Sequence, residues 1–179
     1  MARHVVLLRS INLGSRNRIS MPELRKALEK AGYDDVRTYL QSGNVVLTSR
    51  GAAKRVARDC ERLIADRFGL EIAVVVRTRS ELAKVVERNP LAGVAKDSKR
   101  YQVSFLETKP SPKVVGELED VAADREEVVS IGREVYAWHP DGVARSKLWA
   151  KLAGKTLGVN ATARNWTTVT KLLELADAD

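Results

Sequence analysis

The sequence holds one cysteine and two histidines among its 179 residues, which limits the chemistry that it can support. A single cysteine, Cys60, excludes an internal disulfide bond. Zinc sites need several Cys and His side chains at ligand spacing, and His4 and His139 lie far apart in the sequence, so no metal is expected. Cys60 shares a helical register with Val56 and Ile64, so we interpret it as a small core residue rather than a nucleophile.

Long hydrophobic runs are also missing. The apolar run that follows His4 is much shorter than a secretory signal or a membrane span of about 20 residues. We therefore expect a cytoplasmic protein with no membrane partner. The apolar content of 44% suits one compact domain or two small halves, and a chain of this length buries enough surface to fold without disulfides.

The motifs of several well-defined classes of protein are absent. The sequence has no phosphate-binding loop of the G-x-x-x-x-G-K-[ST] type, no dinucleotide fingerprint and no G-x-S-x-G nucleophile motif. Aromatic residues are scarce, at 5%, and the aromatic motifs of the RNA recognition fold do not occur. A Ser-His-acid triad assembled from distant residues stays open, and with it the question of enzymatic activity. No cofactor is expected.

The charge that is present lies on one side of the sequence. Residues 1–90 contain 18 Lys and Arg and 10 Asp and Glu, whereas residues 91–179 contain 13 of each kind. The whole net charge of +8 therefore belongs to the first half, which suggests a face that attracts polyanions. The second half has an acidic cluster over residues 117–127, which we interpret as a solvated face.

The first half has the pattern of a ferredoxin-like unit. Apolar runs and alternating segments predict strands at 4–9, 36–40, 45–48 and 70–76, and amphipathic segments predict helices at 20–32 and 52–67. Ser20 and Glu23 fit a capping box, and Gly32 ends that helix. Residues 41–44 (Gln-Ser-Gly-Asn) predict a tight hairpin. The resulting order, βαββαβ, is the split βαβ arrangement.

The second half has a similar but incomplete predicted order of helices and strands. The pattern predicts a helix at 80–88, a link at 89–93, strands at 101–107, 128–131 and 135–138, and helices at 111–123, 143–153 and 165–176. We therefore predict an α+β fold of two ferredoxin-like halves, the second lacking a final strand and ending in helices. The predicted boundaries are 1–78 for the first half, 79–98 for the helix and linker, and 99–179 for the second half.

The loop Ile11–Ser20 is the leading candidate for a functional site. In a βαββαβ unit the end of the first strand, the start of the first helix and the following hairpin share one edge, so we expect Arg18 and Asn44 to lie in one pocket. Helix N-termini and arginine side chains both favour anions. The candidate residues are Arg9, Asn12, Gly14, Arg16, Asn17, Arg18, Gln41, Ser42 and Asn44. The alternative is that the Asn, Gly and Ser residues serve only the turn itself.

A second polar cluster is predicted where the last two helices begin. Arg145, Ser146 and Lys147 follow Asp141-Gly142, and Arg164 with Asn165 precedes the terminal helix. Either group could bind a phosphate at free backbone N–H groups. The structural alternative is stronger here, because Asn165 is a natural N-cap.

Three segments resemble a known bacterial family. They are LLRSINLGSRNRISMPELRKAL, RTYLQSGNVVL and KTLGVNATARNWTTVTKLLEL, and they are similar to the motifs of a domain of unknown function, DUF-1697. The family motifs fall on residues 8–14, 38–46 and 162–172. The resemblance implies an α+β fold of two related ferredoxin-like halves and implies no activity. The sequence has Ser10 and Ser15 where the family usually has glycine, which makes positive φ and close ligand approach less easy.

Three functions remain open from the sequence. The leading hypothesis is a nucleic-acid-binding module that contacts phosphates through the basic first half. The second is an enzyme or sensor for a phosphorylated metabolite, and the third is a protein-interaction or structural module. The oligomeric state stays open.

Overall fold

The computed structural model describes all residues, 1–179, and has an α+β fold. The chain forms two compact units, one made of residues 1–84 and 171–179 and the other of residues 85–170. Eight strands form two four-stranded antiparallel sheets, accompanied by six helices.

The first unit has the predicted βαββαβ order. Its elements are β1 (Ala2–Leu8), α1 (Met21–Lys30), β2 (Asp34–Tyr39), β3 (Asn44–Ser49), α2 (Ala53–Phe68) and β4 (Val74–Thr78), followed by α3 (Arg79–Arg88), which runs into the second unit. The sheet order is β2-β3-β1-β4. In the register, Leu7 of β1 lies opposite Asn44 of β3 and opposite Val75 of β4. This order confirms the ferredoxin-like arrangement that the sequence predicts.

The second unit repeats the arrangement. Its elements are β5 (Tyr101–Leu106), α4 (Pro112–Val121), β6 (Glu127–Ile131), β7 (Glu134–Trp138), α5 (Lys147–Ala153) and β8 (Ala161–Asn165), and α6 (Trp166–Asp177) begins here and ends in the first unit. The sheet order β6-β7-β5-β8 corresponds element for element to that of the first unit.

One detail of the predicted fold is wrong, because the second half does have its final strand. Strand β8 pairs antiparallel with β5, with Thr162 opposite Phe105 and Arg164 opposite Val103. The segment Ala-Thr-Ala-Arg-Asn has no run of large apolar residues, so pairing with β5 rather than local hydrophobicity defines the strand. The preceding helix, α5, is shorter than predicted because it begins at Lys147 rather than Val143, and it ends at Ala153 as predicted.

The core of the first unit lies between its sheet and α1 and α2. Val6 and Leu8 of β1 alternate with residues on the other face and join Leu24, Leu28 and Ile64 in one buried cluster. Cys60 belongs to the same cluster, and burial raises the pKa of its thiol to about 12. The thiol therefore stays protonated at neutral pH, which supports its interpretation as a core residue.

Hydroxyl side chains begin helices in both units. The Ser20 hydroxyl accepts a hydrogen bond from the backbone N–H of Glu23 at 3.4 Å, as the predicted cap requires. Helix α2 instead follows Ala52, whose side chain provides no cap, and ends at Gly69 in the left-handed conformation, with φ of 66°. No helix of either unit combines the length and the apolar character needed to cross a membrane.

Candidate functional site

The two polar segments of the first unit meet at one edge of the sheet, as the topology predicts. The backbone N–H of Leu8 donates to the carbonyl of Gly43 at 2.9 Å. The Asn12 Nδ2 donates to the carbonyl of Gln41 at 2.7 Å. The β1–α1 loop is thus hydrogen-bonded to the β2–β3 turn, and we call these two segments together the loop edge (residues 9–20 and 40–44).

Gly43 lets the two segments pack against each other. It has φ of 89°, and a Cβ at this position would lie 2.8 Å from both the Leu8 Cβ and the Ile11 Cδ1. Leu8 and Ile11 are buried, so neither can move away easily. The turn therefore requires glycine for conformation and for space.

Asn12 and Asn17 hold the long loop in a fixed shape. The Asn12 side chain donates to the Ile19 carbonyl at 3.0 Å and accepts from the Ile19 N–H at 2.9 Å. Asn17 Nδ2 donates to the Ser10 carbonyl at 3.2 Å. Both amides stabilise the loop, in line with the alternative weighed from the sequence.

The loop backbone returns repeatedly to the left-handed region. Ser10, Asn12 and Asn17 have φ of 52°, 53° and 48°, and Gly14 has φ of 59°. Ser10, at a position where the resembled family usually has glycine, therefore adopts a conformation that favours glycine, at some cost in strain. Ser15 is not among the residues with positive φ.

The turn residues differ in what they offer to a ligand. Asn44 is 0% exposed, and its Nδ2 donates to the Tyr39 carbonyl at 2.8 Å and to the Ser42 Oγ at 3.0 Å, so its amide stabilises the turn. Gln41 and Ser42 are exposed. Arg9 is half-buried, and its backbone N–H donates to the Ala73 carbonyl at 2.9 Å.

Arg16 and Arg18 are the free charges of the loop edge. Both are exposed, and neither guanidinium makes a hydrogen bond or an ion pair. Other arginines of this unit are paired, for example Arg25 with Glu29 at 2.9 Å. Two leucines of the loop edge are also exposed, Leu13 by 64% and Leu40 by 53%.

In the second polar cluster, the Ser146 hydroxyl is hydrogen-bonded to other groups of the protein. Ser146 caps α5, since its Oγ accepts from the Trp149 N–H at 2.9 Å. The same Oγ donates to Glu126 Oε2 at 2.6 Å. His139 Nδ1 lies 2.5 Å from that carboxylate oxygen and 3.3 Å from the Ser146 Oγ. We call these three residues the Glu-His-Ser cluster.

The Glu-His-Ser cluster is buried on one side and open on the other. The side chains of His139 and Glu126 are 0% and 8% exposed. Glu126 and Ser146 line a cavity of about 690 Å³ together with Arg145, Lys147 and other residues of the 141–147 segment. A polar cluster therefore borders a space large enough for a small molecule.

Hydrogen bonds keep the Glu126 carboxylate ionised. Burial alone would raise its pKa, but donors from Ser146, His139 and the backbone of Ala123 outweigh burial, and the pKa lies below its usual value of 4.5. The carboxylate is thus a fixed negative charge at neutral pH.

The remaining candidates of the second polar cluster, Arg164 and Asn165, have structural roles. Arg164 lies in β8 and is 7% exposed, with its Nη1 donating to the Thr162 Oγ1 at 2.6 Å and to the Ala163 carbonyl at 2.8 Å. Burial lowers its pKa to about 10. Asn165 caps α6, accepting from the Thr168 N–H at 2.9 Å. The structure does not bring Arg164 to the surface beside Arg145.

Sequence reasoning missed Glu126 and His139 as site residues. Glu126 falls in the acidic cluster that we interpret as a solvated face, and His139 stands alone in the sequence. The one usable signal is the turn after His139, because Asp141-Gly142 directs the chain back toward the start of α5.

The comparisons with known proteins bear on the fold and the family. The family described as "Protein of unknown function (DUF1697)" matches residues 1–136. This chain belongs to that family. The third motif noted in the sequence, at 162–172, lies beyond the matched residues.

A solved structure supports the same arrangement over the whole chain. The conserved bacterial protein SP0830 from Streptococcus pneumoniae is 23% identical, with a TM-score of 0.76 over 98% of each chain. At this identity the likeness shows that the two proteins share a fold. No curated protein matches the sequence.

Proposed function

We propose that the protein is a nucleic-acid-binding module that contacts phosphates through the loop edge of its first unit. The observation that carries the proposal is the pair of exposed, unpaired guanidinium groups of Arg16 and Arg18 on a loop held rigid by Asn12 and Asn17. A rigid loop loses little conformational entropy on binding, and arginine has the fork geometry that suits phosphate oxygens.

The charge distribution supports the same proposal. The excess of +8 lies in residues 1–90, and the loop edge belongs to that half. The exposed side chains of Leu13 and Leu40 provide apolar surface on the same loop edge, where unstacked bases or sugars can pack. Binding of this kind gives affinity with little sequence readout. We place this activity in the cytoplasm.

The proposal predicts a strong dependence on salt. If about four phosphates are neutralised, the slope of log K against log salt is about −3 for a single strand. Replacing both Arg16 and Arg18 with alanine should weaken binding of a labelled single-stranded oligonucleotide about tenfold or more and reduce the slope by about 1.4. Fluorescence anisotropy across a salt series measures both quantities.

A control with the same loss of charge isolates the loop edge. Lys54 and Arg58 are exposed on α2 and make no ion pair, so the K54A/R58A variant also loses two positive charges. It should weaken binding much less than R16A/R18A. Both variants should keep their free energy of unfolding within about 0.5 kcal/mol of wild type. Equal losses in the two variants, or no association of the wild type at about 50 mM salt, would reject the proposal.

A second candidate function rests on the cavity of the second unit. Arg145 and Lys147 line it, are exposed and form no ion pair, so an anionic metabolite such as a phosphate ester would find two cations there. A thermal-shift panel of nucleotides and sugar phosphates tests this function. A shift that R145A/K147A abolishes supports it, and a panel with no shift removes it.

A further inference from the structure

Three helices begin with a serine cap, and only one of the three serines has a carboxylate partner. Ser20, Ser111 and Ser146 each accept a hydrogen bond from a backbone N–H three residues later. Capping uses only the acceptor lone pairs of the hydroxyl, and Ser20 and Ser111 cap without any further side chain. The hydrogen bond that Ser146 donates to Glu126 is therefore additional to capping.

The Glu126 carboxylate is held in place by several donors. Its Oε2 receives the Ser146 hydroxyl and faces His139 Nδ1, and its Oε1 accepts from the Ala123 N–H at 3.1 Å. A buried carboxylate costs free energy unless such bonds compensate it. Here they compensate it and fix its direction toward the Ser146 hydroxyl.

The reactive side of the pair is accessible. Ser146 and Glu126 border the cavity of about 690 Å³, and Arg145 and Lys147 border it as well. A hydroxyl that donates to a fixed, ionised carboxylate at the wall of a cavity has the arrangement of an activated nucleophile and its proton acceptor.

We propose that Ser146 is a nucleophile toward small activated esters, with Glu126 as its proton acceptor and His139 as a positioning residue. This activity is separate from the nucleic-acid binding proposed above. Arg145 and Lys147 favour esters that carry an anionic group.

The reaction balances with water as the only co-reactant. The Ser146 Oγ forms a bond to the acyl carbon, the bond from that carbon to the alcohol oxygen breaks, and the serine proton passes through Glu126 to the leaving alcohol. Water then attacks the acyl-serine and gives a proton to Glu126, which returns it to Ser146 as the acid departs. His139 donates to Glu126 throughout and does not contact the ester.

Covalent labelling tests the nucleophile directly. The full chain is treated with an alkyl fluorophosphonate, and intact mass followed by peptide mapping locates the adduct. We expect one adduct on Ser146, which disappears in the S146A variant and persists in S111A. Ser111 is the matched control, because it caps a helix in the same unit without a carboxylate partner. No adduct on the wild type, or an adduct that S146A retains, would overturn the proposal.

The proton acceptor and the positioning residue have separate readouts. E126Q should slow labelling and the hydrolysis of a p-nitrophenyl ester at least about tenfold. H139F removes the donor and should slow labelling, whereas H139N retains an N–H donor near the Nδ1 position and should recover part of the rate. Circular dichroism confirms that each variant is folded.

The pH profile of the wild type keeps the proposal falsifiable if these variants fail to fold. An ionised glutamate accepts the proton down to mildly acid conditions, so labelling should persist at about pH 5.5. A rate that already falls between about pH 7.5 and about pH 5.5, or an unchanged rate in folded E126Q, contradicts the assignment of Glu126.

Discussion

The two units have a cavity at the same place in their common topology, and they line it differently. In the first unit the α1–β2 loop, the end of β3 and the start of α2 border a cavity of about 510 Å³. In the second unit the α4–β6 loop and the segment between β7 and α5 border one of about 690 Å³. Tyr33 and Thr48 are among the residues that line the first cavity, whereas Glu126 and Ser146 of the Glu-His-Ser cluster line the second.

The length of the connections explains much of the difference. Residues 50–52 join β3 to α2, whereas residues 139–146 join β7 to α5. The longer segment has room for His139 to turn inward and for Ser146 to cap the helix, while α2 follows Ala52, which provides no side-chain cap. The shared topology therefore places a cavity at this position in both units, and the connection between strand and helix determines which side chains line it.

At the opposite end of each sheet, it is the first unit that has the longer strand-to-helix connection. The β1–α1 connection of the first unit spans residues 9–20 and forms most of the loop edge, but the equivalent β5–α4 connection spans only 107–111. In each unit, the longer of these two strand-to-helix connections contributes to the candidate site. Loops of this kind carry function on a rigid scaffold.

The largest effect we expect distinguishes the two hairpins. Gly43→Ala places a Cβ against Leu8 and Ile11 at 2.8 Å and also strains a φ of 89°. Gly132→Ala in the β6–β7 hairpin meets only the φ strain, because the nearest atom, a carboxylate oxygen of Glu134, is 3.9 Å away. We expect a loss of about 3–4 kcal/mol for G43A and about 1 kcal/mol for G132A.

Urea unfolding followed by circular dichroism measures both losses. Equal losses would show that the Leu8 and Ile11 side chains move aside without cost. The loop edge would then be much looser than its packing indicates.

A smaller effect separates the two helix starts at the cavities. Ser146→Ala removes the cap of α5 and should lower the free energy of unfolding by about 1–2 kcal/mol, while Ala52→Ser should add about 0.5–1 kcal/mol by capping α2. Thermal and urea unfolding of the two single variants and the double variant check these values. A loss in S146A that is no larger than that in S111A would mean that the bond to Glu126 adds nothing to stability.

Local sequence patterns predict most of the fold. The apolar run of β1, the capping residue Ser20 and the turn around Gly43 each carry their own signal, so the first unit follows from neighbouring residues. Strand β8 does not, because Thr162 and Arg164 are buried through pairing with β5 and through local hydrogen bonds. The pairing of β8 with β5 involves residues far apart in the sequence, so local patterns do not predict it.

The two candidate sites also differ in how far the sequence predicts them. The topology alone predicts that the loop Ile11–Ser20 meets the Gln41–Asn44 turn, and the bond from Asn12 to Gln41 confirms it. Which asparagine side chains hydrogen-bond to the loop backbone depends on the path of the loop. No sequence pattern predicts that path. The Glu-His-Ser cluster combines residues from three separate segments that have no common sequence pattern. Only the folded structure brings these three side chains together.

The smallest effect we expect is a change in the acid dependence of the second unit. Because hydrogen bonds depress the pKa of Glu126 in the folded state, its contribution to stability is complete above its ordinary pKa of 4.5 and is lost as the pH falls through the folded-state value. The difference in free energy of unfolding between wild type and E126Q should therefore narrow as the pH drops below 4.5. Asp141→Asn is the control, since Asp141 forms an exposed pair with Arg125 at 2.8 Å and should differ little from wild type at any pH. Urea unfolding at a series of pH values compares the three proteins. If the difference for E126Q stayed constant with pH, the Glu126 carboxylate would not be the ionised centre of the cluster, and the contrast between the two cavities would be one of shape alone.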